Sequence, residues 1–97
     1  APYQGMLFVF PEPDRYGFVM RDMSFPIDIV WFRDRTVVDI AHNVPVEPDA
    51  IERDLHGYYP RQAADMVLEL HAGWARMHNA KIGDALGIDR DMRSGGY

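Results

Sequence analysis

Cysteine is absent from this 97-residue chain, which excludes a disulfide framework, a thiolate metal site and a cysteine nucleophile, and leaves the redox compartment open. Serine is almost as scarce. Ser24 and Ser94 are the only two, and neither stands in the Gly-x-Ser-x-Gly turn that presents a nucleophilic hydroxyl. No P-loop and no Gly-x-Gly-x-x-Gly occurs, so nucleotide binding by either route is excluded. No run approaches the roughly 18 apolar residues that a membrane-crossing helix needs. Basic charge is also short: Lys plus Arg number 10 against 15 Asp plus Glu, a net charge of −5, with no basic cluster to offset it. Affinity for a phosphate backbone comes mostly from basic side chains releasing counterions, so this balance argues against a nucleic-acid partner.

What is present is apolar. At 47% hydrophobic residues the chain can build one compact core, and residues 1–97 are read as a single domain. Residues 6–10 (MLFVF) form a continuous apolar run that suits a buried strand, and the PEPD that follows reads as a hairpin loop. Residues 16–20 then read as a second strand, antiparallel to the first. The stretch 21–25 changes direction, with Pro26 holding Phe25 extended. Residues 27–32 alternate clearly: Ile27, Ile29 and Trp31 share one face, and Asp28, Val30 and Phe32 the other. Arg33-Asp34-Arg35 is a polar turn and 36–41 a β-branched return strand, which together predict a hairpin.

Residues 42–60 differ in character, with three prolines, Gly57 and the acidic Glu47, Asp49, Glu52 and Asp54. They read as a long surface loop with one helical turn around 49–55, capped by Asp49 with Glu52 three residues on. A strand over 65–70 places Met66, Leu68 and Leu70 on one side and Val67, Glu69 and His71 on the other. Residues 72–78 are expected to be helical and to stop at Asn79, a last short strand follows over 85–88, and 89–97 is expected to be a loose tail. This pattern predicts a mainly β domain, a mostly antiparallel sandwich or barrel-like arrangement with one or two short helices.

Few residues offer chemistry. Asp28 stands in an otherwise apolar strand, where a carboxylate needs partners. It is either a pocket acid or ligand anchor, or a structural group that accepts backbone amides at the Pro26 corner or pairs with Arg21. Glu69 lies mid-strand, and if 27–33 and 66–71 are neighbours it converges with Asp28. Such a pair could do acid–base work or hold a hard cation such as Ca²⁺ or Mg²⁺; the alternative is a strand Glu facing solvent. His42, His56, His71 and His78 have no metal-ligand spacing, so no metal site is assigned. No catalytic residue and no cofactor is assigned either. The methionines and tryptophans read first as core filler, with a ligand-lined cleft as the alternative. Tyr58-Tyr59-Pro60 is the densest aromatic cluster, either packed on the sheet or gripping a ligand.

The stretch 18–32, FVMRDMSFPIDIVWF, has GMLFVF before it and NVPVEP, YYP, VLELHAGWA and KIGDAL after it. In that order these segments resemble the bacterial and archaeal family named domain of unknown function 192, from Gly5 to Gly87. The resemblance implies a β-rich fold, a role of unspecified kind for the Pro-Ile-Asp segment ending at Asp28, and no reaction. It also implies an extracytoplasmic setting, since relatives often carry export signals or lipid anchors. Val19 stands where relatives often have Trp, and Arg21-Asp22-Met23 replaces a more frequent Lys-Asn-Thr. Relatives usually carry a further strand and short helix before GMLF. The chain is therefore expected to be a fragment or processed form of a slightly longer domain, with a sheet edge left open to pair with a second copy.

The leading expectation is a non-catalytic binding or accessory module for a small molecule or extended chain. It would bind at the surface around Met20-Arg21-Asp22, Asp28 and the 43–60 loop, and its candidate ligand residues are Met20, Arg21, Asp22, Asp28, Asn43, Tyr59 and Glu69. The rival is a carboxylate-dependent hydrolase or lyase using Asp28 and Glu69.

Overall fold

The computed structural model describes residues 5–85. The expected strand over 85–88 falls within that range only at Ala85, and the tail at 89–97 lies outside it. Four strands, β1 (Met6–Asp14), β2 (Ile27–Arg33), β3 (Thr36–Val44) and β4 (Ala64–His71), form one antiparallel sheet in the order β1-β4-β2-β3. The only α-helix among the described residues, α1, is the single turn Trp74–Met77, and a 3-10 turn covers Glu52–Asp54. The fold is therefore mainly β with one short helix. None of the described helices is long and apolar enough to cross a membrane.

β2 is the organising strand. Its first six residues, Ile27 to Phe32, are all buried, because β3 and β4 flank it and both faces of the sheet are covered. Residues paired across antiparallel strands share a face. The register Ile27↔His71, Ile29↔Glu69, Trp31↔Val67 defines one face, and Asp28↔Leu70, Val30↔Leu68, Phe32↔Met66 the other. Each face carries its own apolar cluster. Ile27, Ile29, Trp31 and Val67 pack with Met20, Val44 and Ala64, under a cover that includes Phe18, Met23 and Phe25. Val30, Phe32, Val37, Leu68 and Leu70 pack on the opposite side, with Trp74 against them.

Three local expectations change. The 3-10 turn follows Ile51 with no side-chain cap, so Asp49 does not cap it. β1 does not stop at Phe10: it continues through Pro11 and Pro13 to Asp14, with a register shift between Val9 and Asp14. An edge strand tolerates prolines where the missing N–H would face solvent or where the ladder is already broken by a bulge, as it is here. Residues 16–20 form no strand; Phe18 makes one isolated bridge to Tyr58, through a pair of backbone hydrogen bonds of 2.9 and 2.8 Å. The place beside β1 belongs to β4.

The cover over the first face is pinned by polar bonds. The Trp31 indole donates to the Tyr16 carbonyl (2.9 Å) and the Arg15 guanidinium to the Pro60 carbonyl (2.8 Å). Asp39, only 6% exposed, accepts from the Arg61 amide (2.8 Å), the Arg61 guanidinium (2.9 Å) and the Ile40 amide (2.9 Å). Burial works to raise the Asp39 carboxyl, but these bonds outweigh it and hold the group below its ordinary value. A carboxyl depressed by folding stabilises the protein above its unfolded pKa, and the contribution is lost as pH falls through the folded value. The stability gap between wild type and Asp39→Asn, followed by urea denaturation from about pH 7 down to pH 2, is thus expected to narrow on the acid side of the ordinary Asp range. A gap that stays constant over that interval would remove the charge from the explanation.

Candidate functional site

A cleft of about 310 Å³ lies between the turn at 20–23 and the loop at 47–55, lined by Met20, Arg21, Asp22, Met23, Glu47, Pro48, Ala50, Glu52 and Leu55. The two walls are built differently. Met20 is buried and belongs to the apolar cluster of the Ile27–Ile29–Trp31 face, so the turn that follows it is rooted in the core. Asp22 reverses the chain there with φ of 58°, in the left-handed region that Asp tolerates better than most residues. The opposite wall is the proline-punctuated loop, whose 3-10 turn brings Glu52 to face Arg21.

Arg21 is the one basic residue among those lining the cleft. Its Nε donates to Glu52 Oε1 at 2.7 Å and its Nη2 donates to Glu52 Oε2, a two-pronged pair that joins the walls. The bond to Arg21 holds the Glu52 carboxyl below its ordinary value. Both side chains are more than half exposed, at 56% and 66%. Glu47 accepts the His56 amide on Oε1 (3.2 Å), and its buried Oε2 has no hydrogen-bond partner among the described residues. Burial, and after it the Glu47 charge, push the Tyr58 phenol above its usual value.

Of the residues singled out from sequence, Met20, Arg21 and Asp22 line this cleft, and Asp28, Asn43, Tyr59 and Glu69 do not. Asp28 is fully buried on the opposite face of the sheet. Its Oδ1 accepts the Asn43 amide (2.9 Å), and its Oδ2 accepts the Gly73 (3.1 Å) and Ala75 (2.8 Å) amides. The carboxylate thus ties β2 to the end of β3 and to the turn that starts α1. Asn43 contributes through its backbone, with φ of 52°, and Gly73 sits at φ of 96°, where a side chain would be strained. The amides are not those of the Pro26 corner, and Arg21 takes Glu52 instead of Asp28.

Glu69 is half-buried on the face of Ile29, where burial raises its carboxyl. It therefore points away from Asp28, and the two do not form a carboxylate pair. The Tyr59 ring lies across Gly17 and Gly57; a Cβ on Gly17 would stand 2.2 Å from a ring carbon. Among the described residues no three His, Asp or Glu side chains gather as metal ligands. A second, more open depression of about 410 Å³ lies beside the β1 bulge and the Asp34–Arg35 turn.

The sequence points to the 43–60 loop as part of the binding surface but does not single out Met23, Glu47, Pro48, Ala50, Glu52 or Leu55, which line the cleft. The acidic, proline-rich character of 42–60 marked the loop, but only the fold shows which of its carboxylates turns toward Arg21.

The sequence matches the family DUF192, described as "Uncharacterized ACR", over residues 1–88. Two solved structures are similar. One is a protein of unknown function from Novosphingobium aromaticivorans DSM 12444, with TM-score 0.70 and 32% identity over 84% of this chain and 54% of that one. The other, from Sinorhizobium meliloti 1021, is described as a "putative transcription regulator", with TM-score 0.73 and 29% identity over 88% of this chain and 62% of that one. The chain thus spans less than two thirds of either neighbour. No curated protein matches it.

Proposed function

The chain belongs to the DUF192 family, whose description assigns no reaction, and from that premise we propose that it is a non-catalytic binding module that takes a small molecule or extended chain in the 20–23/47–55 cleft. The observation that supports this most is the composition of the cleft. It sets four apolar side chains (Met20, Met23, Pro48, Leu55) among one guanidinium and three carboxylates, a mixture in which apolar contact adds affinity and the charged groups add selectivity. A carboxylate enzyme is the weaker reading, because Asp28 spends its oxygens on backbone amides and Glu69 lies across the sheet from it.

Native mass spectrometry of the purified chain tests the reading. The expected result is a monomer carrying a stoichiometric extra mass, which disappears in Leu55→Trp, where an indole fills the cleft. Bare protein in both cases counts against a binding module, and a bare dimer favours pairing of two copies along the β1 edge. The description of the Sinorhizobium protein raises a nucleic-acid role. With 10 basic against 15 acidic residues, the expected outcome in fluorescence anisotropy is no salt-dependent DNA binding.

A further inference from the structure

Resting on that reading, we propose that Arg21 is the anchor for a carboxylate-bearing ligand and that Glu52 is its internal competitor, occupying the anchor until the ligand displaces it. A guanidinium fork holds a planar carboxylate through two parallel bonds, and Arg21 holds Glu52 in this way, through Nε and Nη2. The internal carboxylate therefore displays the geometry in which a ligand carboxylate would sit. The anchor faces a cleft whose apolar lining residues, Met20 and Met23 on one wall and Pro48 and Leu55 on the other, suit an aliphatic chain extending from that carboxylate.

Exchange is easy for two reasons. The pair is exposed on both sides, and exposed ion pairs are weak, since solvent screens them and ordering two long side chains costs entropy. Glu52 also sits on a three-residue 3-10 turn with no buried residue, so little packing is lost when it swings away. Asp22 and Glu47 line the same cleft and oppose a bare anion. They lower the affinity of an anion and leave Arg21 as the one lining side chain that attracts a carboxylate, so that binding depends on it.

The test is an NMR titration of the full chain with pentanoate and with pentylammonium, two probes of equal length and opposite charge, following the Met20 and Met23 methyl signals. Pentanoate is expected to bind Glu52→Gln about 3- to 5-fold tighter than wild type, the scale of an exposed ion pair, and not to bind Arg21→Gln. Equal pentanoate affinity in wild type and Glu52→Gln, or retained binding in Arg21→Gln, overturns the proposal. Binding of pentylammonium alone overturns the anchor while leaving the cleft a binding site. Neither probe moving the methyl signals in any variant overturns both.

Discussion

Replacing Asp28 by Ala is expected to destabilise the protein by about 3–5 kcal/mol, a loss comparable with the whole stability of a small domain. The magnitude follows from what is left behind rather than from what is removed. The carboxylate is fully buried and accepts amides from Asn43, Gly73 and Ala75. A buried donor left without an acceptor costs about 1–3 kcal/mol, and partial relaxation of the 72–75 turn keeps the sum below three such costs. Asp28→Asn should fall between, because its single carbonyl oxygen replaces one acceptor while its NH₂ meets a further donor. Urea denaturation checks this: the midpoint should drop in the order wild type, Asn, Ala, with the slope unchanged. A loss in Asp28→Ala of under about 1 kcal/mol, the range of ordinary surface changes, would remove the staple role and return Asp28 to the list of groups awaiting a ligand.

Asp28 also shows where sequence reading stops. Its chemistry is legible: one carboxylate in an apolar strand must be bonded, and backbone amides are among the partners such a group can take. The donors themselves are not, since they lie 15, 45 and 47 residues away. The same distinction holds elsewhere. The 27–41 hairpin and the strand at 65–70 could be read because alternation and turn residues act over a few positions. The faces assigned to Ile27, Ile29 and Trp31 and to Met66, Leu68 and Leu70 are the observed ones. Residues 16–20 carry the same apolar pattern as a strand, yet β4 pairs with β1 and leaves them a single bridge. Which segment wins an edge is decided by non-local pairing that no local pattern records. The Arg21–Glu52 pair, 31 residues apart, is hidden for the same reason, although the Arg21 turn and the acidic loop each stand out locally.

Trp31→Ala is the second large effect expected, at roughly 3–5 kcal/mol for truncating a buried Trp, and it should reach the cleft as well as the core. Trp31 is 1% exposed and packs among Ile27, Ile29, Met20 and Val67. Its indole N–H also holds the Tyr16 carbonyl, so the same side chain supports the sheet face and fixes the segment leading to Met20 and Arg21. Trp31→Phe separates these roles. It keeps most of the buried ring but loses the hydrogen bond, a step of about 1 kcal/mol, and leaves the Tyr16 carbonyl to find another donor. Hydrogen exchange at Phe18, whose amide bonds the Tyr58 carbonyl, should accelerate in Trp31→Phe more than exchange at Val30 in the sheet centre. If both accelerate equally, the indole serves only global stability. If Phe18 alone responds, the 16–23 cover opens as a unit on top of an intact sheet, and the wall of the cleft that carries Arg21 is set by a residue of β2 lying beneath it.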